Sequence, residues 1–212
     1  MIKKKFNKIV ILGNSEKFIL GIKKKYDYDN LKIIPWRKIK DYISSINEKY
    51  DLIFVCGFDF SLYSRNLEYF TNENVTNPIK LIKKISKETT QIAYINTQNL
   101  NKKKYTFSRY KFAKQELACQ ISQNFKKFAI LKTDLIVDKN KISIKSNYVS
   151  KIIFLILVKI KLIKTIEVEK IFTEIDNLLV SGNCQSQENI LGYFLKIPRT
   201  QFIDRFLRLL LG

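Results

Sequence analysis

Short, almost wholly apolar runs recur along the chain with helical stretches between them, and this spacing constrains the fold more than any other feature. Lys8-Ile9-Val10-Ile11-Leu12, Asp51-Leu52-Ile53-Phe54-Val55-Cys56-Gly57, Gln91-Ile92-Ala93-Tyr94-Ile95-Asn96 and Phe128-Ala129-Ile130-Leu131 are rich in β-branched and aromatic residues. A strand wet on one face alternates apolar and polar residues, whereas a strand covered on both faces reads as a continuous apolar run. Lys32-Ile33-Ile34, closed by Pro35, reads as a further short strand. Between these runs, Glu16 to Lys25, Ile39 to about Glu48, Asn77 to Lys87 and Tyr105 to Asn124 read as helices. Pro78 falls in the first turn of its helix, where a missing N–H costs nothing. Phe58 to about Asn74 reads as a loop.

Alternating strands and helices of this kind predict an α/β fold, a Rossmann-like doubly wound parallel sheet with helices on both faces. Residues 1–140 form the expected Rossmann-like core. Residues 141–212 form a short, partly helical C-terminal substrate region packed on it, with a helix at Val168 to Leu179, a short strand at Asn189 to Leu195 and a terminal helix at Thr200 to Leu211. Ligands of such sheets lie beyond the carboxyl ends of the strands. Gly13, Gly57 and Thr97 all fall at such ends.

Composition removes several chemistries. The chain has 212 residues and no histidine, so Ser-His-Asp and Cys-His catalysis and histidine-ligated metals are excluded. Its three cysteines, Cys56, Cys119 and Cys184, are far apart and argue against a disulfide framework or a zinc site. No run reaches the roughly 20 apolar residues that span a bilayer. The basic start, Met1 to Phe6, lacks the long apolar run and cleavage site of a signal peptide, which makes the cytoplasm the expected compartment. The formal charge of +20 reads in two ways. It could attract a polyanion such as nucleic acid or anionic lipid, or it could follow from a genome biased toward Lys, Ile and Asn codons. Its lysines are dispersed and arginine is scarce, so nucleic acid is not the expected partner.

Acid–base work must then fall to Tyr, Lys, Asp or Glu. Tyr110 and Lys114 are four residues apart on a helix and can share a face. A lysine ammonium beside a phenol favours the phenolate and makes it a usable acid or base near neutral pH. Thr97, at the end of the strand before that helix, adds a hydroxyl. Spacing alone also allows an amphipathic helix with a half-buried Tyr and a solvated Lys.

Taken in order, these residues resemble the short-chain dehydrogenase/reductase superfamily, in particular its extended branch of NAD(P)-dependent sugar-nucleotide epimerases, dehydratases and reductases. The resemblance covers Lys8 to Leu135 and extends loosely to Leu179. Ile9 to Gly13 resembles its first strand and glycine turn, and Asp51 to Gly57 its fourth strand. Asn74-Val75 resembles the start of its next helix. Thr97, Tyr110 and Lys114 match its Ser/Thr and Tyr-x-x-x-Lys, and Phe128 to Thr133 the strand that usually ends in Arg-Pro. The resemblance implies that Tyr110 exchanges a proton with the substrate, that Lys114 lowers the phenol pKa and binds the nicotinamide ribose, and that Thr97 holds the reacting oxygen. It implies cofactor contacts at Gly13, Asn14, Ser15, Cys56, Gly57 and Asn74.

The chain also departs from the family's pattern. Gly13-Asn14-Ser15-Glu16-Lys17-Phe18-Ile19-Leu20-Gly21 keeps the first glycine, displaces another to Gly21, and sets Glu16 at the helix start. No acidic residue follows the second strand. Arg37 and Lys38 stand there instead, which suits the 2′-phosphate of NADP over NAD, or else marks ordinary helix-start charge. The expected ligands are therefore NADP and a nucleotide- or lipid-linked sugar, in bacterial surface-polysaccharide synthesis. Two alternatives stand beside this: a non-catalytic relative that uses the fold for binding or scaffolding, and a basic binder of nucleic acid or anionic membrane. Phe202, Ile203, Phe206, Leu207 and Leu210, interleaved with arginines, read as a helix packed on the core, at a homodimer interface or on the inner face of an anionic membrane.

Overall fold

The computed structural model describes residues 4–96, 109–132, 135–138, 141–142, 152 and 165–181. Strand β1 (Lys4–Leu12) leads to α1 (Glu16–Lys25) and β2 (Tyr26–Ile34). A 3₁₀ turn (Trp36–Lys38) runs into α2 (Ile39–Ser45), and β3 (Tyr50–Val55) follows. Next come a 3₁₀ turn (Phe60–Ser64), α3 (Leu67–Thr71), a π turn (Asn72–Thr76), α4 (Asn77–Ile85) and β4 (Ser86–Asn96). Helix α5 (Arg109–Asn124) and β5 (Phe128–Lys132) complete a five-stranded, all-parallel sheet in the order β2-β1-β3-β4-β5. The predicted Rossmann-like doubly wound sheet is present. The strand order reverses between β1 and β3, which opens a crevice at their carboxyl ends.

Each central strand is apolar because both of its faces are covered. Val10, Leu12, Ile53, Val55, Ile92 and Tyr94 point to one side and pack with Ile39, Leu81, Ile82, Leu117 and Ile121 of α2, α4 and α5. On the other side, Phe54 meets Phe18 of α1 and stacks on Phe172 at a 5.5 Å centroid distance. Phe172 belongs to α6 (Val168–Ser181), the helix expected at Val168 to Leu179. A Cβ on Gly21 would lie 2.1 Å from Phe172 Cε2. Gly21 thus serves helix-on-helix packing, well away from the crevice.

The chain divides into two compact units. The first comprises Met1–Thr133 and Val168–Ser186, so α6 belongs with the core. The second comprises Asp134–Glu167 and Gln187–Gly212. Within it, β6 (Leu135–Asp138) pairs antiparallel with β7 (Lys141–Ile142) and parallel with β8 (Thr165–Glu167). The strand expected at Asn189 to Leu195 and the helix at Thr200 to Leu211 lie outside the described residues. Among the described residues, no helix is long and apolar enough to cross a membrane.

Several elements differ from the sequence reading: β1, β2 and β4 begin earlier, and β6, β7 and β8 lie where no strand was read. β2 begins at Tyr26, ahead of Lys32, because Tyr26 pairs with Lys4 and buries its ring against Phe6 and Phe172. Its hydroxyl donates to Asp176 Oδ1 at 2.9 Å. The polar residues Asp27, Asp29 and Asn30 are tolerated because β2 is an edge strand that shows them to water. The segment read as a loop after Phe58 contains short helices with their own caps. Asp59 accepts from the Ser61 N–H and Asn66 from the Tyr69 N–H.

Candidate active site

The crevice floor is made by two glycines. Leu12 O accepts from the N–H groups of both Cys56 and Gly57, at 3.0 and 2.9 Å, which ties the end of β1 to the end of β3. Gly13, at φ 136°, donates to Ile34 O at 2.9 Å. A Cβ on Gly13 would lie 2.7 Å from Gly57 N and 2.9 Å from Cys56 Sγ. A side chain at Gly13 would meet both the backbone conformation and this contact, so the first glycine of the loop is fixed by the fold itself.

Asn14 is exposed, while Ser15 caps α1 without a side-chain hydrogen bond. The Ser15 N–H donates to the Cys56 thiol. Enclosure pushes that thiol up to about 12, against a smaller opposite pull from Lys114 and the Ser15 N–H, so Cys56 stays protonated. Its role is to hold the Gly13–Ser15 turn against β3.

Lys114 is the most unusual side chain of the site. It is 4% exposed, and its Nζ donates to Ile95 O at 3.1 Å. The ammonium lies over the Tyr94 ring at 5.0 Å and the Phe58 ring at 5.7 Å. Burial lowers its pKa to about 8, partly countered by the nearby Cys56. The Tyr94 hydroxyl returns a bond to Lys114 O at 3.3 Å, so α5 and β4 are tied in both directions. Tyr110, one turn earlier, sets its ring against Phe58 at 4.8 Å and Phe60 at 5.1 Å. It is also close enough that its charge would raise the Tyr94 pKa, which burial already holds well above 10. Tyr110 and Lys114 both lie against Phe58, on the α5 side of the carboxyl end of β4. Lys114 is buried among aromatic rings and not solvated. Thr97 lies outside the described residues.

The far side of the crevice is built differently from the sequence expectation. Trp36 is 7% exposed and lies directly on Gly57, where an added Cβ would come within 2.3 Å of the indole. Asn74 is fully buried. Its Oδ1 accepts from Trp36 Nε1 at 3.0 Å and from Asp59 N at 2.9 Å, and its Nδ2 donates to Asp59 O and Phe70 O, both at 3.2 Å. A primary amide has two acceptor sites and two donors. Asn74 therefore uses its full capacity on the protein, and the cofactor contact expected of it has no atom left to make it.

Arg37 chelates Asp59 through Nε at 2.9 Å and Nη2 at 3.1 Å. The Asp59 carboxylate is 7% exposed while the arginine side chain is 70% exposed. Burial alone would raise the Asp59 pKa, but hydrogen bonds from Ser61 and Arg37 outweigh it and hold the carboxyl below its usual value. Lys38 lies on the surface in an i,i+3 pair with Asp41 at 3.6 Å. Sequence reasoning missed Trp36 as a packing residue, and Asp59, Phe58 and Phe60 altogether. Asp59 alone carried a local signal, as a cap two residues before Ser61.

No family model and no curated protein matches the sequence. Solved structures do match the fold. dTDP-4-dehydrorhamnose reductase from Bacillus anthracis, in complex with NADP, superposes with a TM-score of 0.55 at 11% identity over 87% of this chain and 73% of that one. The ADP-L-glycero-D-manno-heptose-6-epimerase of Helicobacter pylori gives a TM-score of 0.58 at 9% identity, over 82% of this chain and 73% of that one. The enzyme WbmG of Bordetella bronchiseptica, in complex with NAD, gives 0.56 at 9% identity, over 83% and 69%. The fold is the Rossmann-like fold of these enzymes. Gly13 lets the end of β1 approach Gly57 and Cys56 closely, and Lys114 supplies a desolvated amine. At the opposite end Trp36 takes the place over Gly57.

Proposed function

We propose that the chain is an NAD(P)-dependent oxidoreductase or epimerase of the short-chain type, acting on a nucleotide- or lipid-linked sugar in bacterial surface-polysaccharide synthesis. The observation that carries this reading is Lys114, a buried amine with a pKa lowered to about 8, one helical turn from Tyr110 at the carboxyl end of β4. The NADP-bound dTDP-4-dehydrorhamnose reductase and the ADP-L-glycero-D-manno-heptose-6-epimerase of the same fold support the substrate class. In this reading Gly13, Asn14 and Ser15 hold the cofactor's diphosphate and Lys114 holds its nicotinamide ribose. The outward side of Arg37 favours the 2′-phosphate of NADP. The cofactor supplies the hydride acceptor or donor. Tyr110 gives or takes the proton at the substrate oxygen, Thr97 holds that oxygen, and the positive charge of Lys114 favours the phenolate.

A second reading, a non-catalytic relative that uses the fold for binding or scaffolding, is favoured by Trp36 on Gly57 and Phe58 over Lys114. Titration with NADPH and NADH separates the two. Trp36 is the single tryptophan and lies on the crevice floor. Fluorescence quenching with calorimetric heat at micromolar NADPH, weaker with NADH, supports the enzyme. Absence of heat with either dinucleotide supports the non-catalytic reading.

A further inference from the structure

We infer that residues 57–66 form a strap across Lys114 and Tyr110, and that the Arg37–Asp59 pair is its latch. The strap leaves the end of β3 and crosses toward α5. Phe58 stands edge-on to Tyr110 at 86° and covers the Lys114 ammonium, while Phe60 lies nearly parallel to Tyr110 at 30°. Phe58 also packs on Phe70 at 5.8 Å, which seats the strap on α3. Two ties hold it. Asp59 bonds Arg37 through its carboxylate and Asn74 through its backbone, and Arg65 O accepts from Arg109 Nη1 at the start of α5.

The two partners of Asp59 differ in character. The Asn74 bonds are buried, whereas Arg37 holds Asp59 from the solvent side, where an incoming anion can reach it. A bidentate charge-assisted pair is strong and geometrically specific, yet a phosphate competes for the same guanidinium. A ligand that displaces Asp59 from Arg37 therefore loosens the strap and uncovers Lys114 and Tyr110. The cover itself follows from geometry alone. Its meaning as a gate to catalysis rests on the enzyme reading above.

Acetylation of the intact protein, followed residue by residue by peptide mass spectrometry, tests the cover without any dinucleotide. Lys126, 84% exposed, is the internal reference. Lys114 is expected to react far more slowly than Lys126. Arg37→Ala removes the latch from an exposed position and is expected to raise the Lys114 rate on the order of tenfold, the change that follows loss of one charged hydrogen bond. Phe58→Ala removes the cover itself and raises the rate further. Far-UV circular dichroism at the labelling temperature confirms that both variants are folded. Equal rates for Lys114 and Lys126 in the unaltered chain, or protection unchanged in both variants, overturns the strap. Stopped-flow binding of NADPH to Phe58→Ala then tests the gate, with faster association expected than in the unaltered chain. If labelling follows the expectation and neither protein binds a dinucleotide, the strap stands and the enzyme reading fails. If both bind at the same rate, the gate fails and the enzyme reading stands.

Discussion

Lys114→Met isolates the energetic cost of placing a charge at the end of β4. The amine is held at about 8 against an ordinary 10.5, with burial as the larger cause and Cys56 opposing it. That gap corresponds to about 3 kcal/mol of penalty on the charged fold, at ~1.4 kcal/mol per pH unit. Below pH 8 the lysine is protonated both folded and unfolded, so the fold carries the full penalty. As pH rises from 8 toward 10.5 the folded amine loses its proton first, and stability rises. Between pH 7 and pH 9 the gain amounts to about 1 kcal/mol. Methionine keeps the unbranched stem and removes the charge. It also forfeits the bond to Ile95 O and the contacts over Tyr94 and Phe58, together about 2 kcal/mol. The variant is therefore expected to be about 1 kcal/mol more stable than the unaltered chain at pH 7, and to lose that advantage by pH 9. Urea unfolding of both proteins at pH 7, 8 and 9 measures the difference. Cys56, pushed up to about 12 in the fold, titrates outside this window when folded, and its unfolded-state titration cancels in the comparison. A stability difference that does not change between pH 7 and pH 9 would refute the argument, because an amine in contact with water has no penalty to shed.

Tyr110→Phe is expected to leave the urea midpoint almost unchanged and to lower turnover of a sugar-nucleotide substrate by on the order of 10²–10⁴-fold, the usual contribution of a general acid or base. Undiminished turnover would remove Tyr110 from the mechanism. Gly21→Ala places a methyl where Phe172 already lies, and is expected to cost about 1–3 kcal/mol in chemical denaturation through overpacking between α1 and α6. Asp59 has a pKa below its ordinary value of 3.8, so its stabilisation is present above pH 4 and is lost as pH falls through the folded value. Arg37→Ala weakens that protection, and its acid-unfolding midpoint by circular dichroism is expected to lie at higher pH than that of the unaltered chain. An unchanged midpoint would mean that the Ser61 bonds alone hold the carboxylate.

The sheet was legible because its evidence is local. A run such as Ile9 to Leu12 announces burial on both faces in its own residues, and Tyr110 and Lys114 announce a shared face by their spacing. β2 was read too short because its burial is confined to Tyr26 and to the end near Ile34, while the residues between face water at a sheet edge. The aromatic surroundings of Lys114 could not be read at all. Phe58, Tyr94 and Lys114 come from β4, α5 and the segment after β3, and nothing in the sequence around Phe58 marks it as the residue that covers the amine.

The departures from the family pattern have a common physical consequence. Where the family places an acidic residue after the second strand, this chain has Trp36-Arg37-Lys38, and the structure uses the first two together. Trp36 reaches Gly57 only because that position lacks a Cβ, and Arg37 is held by Asp59 only because Asn74 fixes Asp59 through its backbone. Asn74 in turn accepts the Trp36 indole N–H. Trp36, Arg37, Asp59 and Asn74 are thus one unit, closed on itself by hydrogen bonds, where the sequence offered separate cofactor contacts at Arg37 and Asn74. A ligand that takes the place of Asp59 on Arg37 must compete with a bidentate pair whose carboxylate residue is held in turn by Asn74. Affinity at the Arg37 end and access to Lys114 are therefore linked through a single carboxylate, that of Asp59.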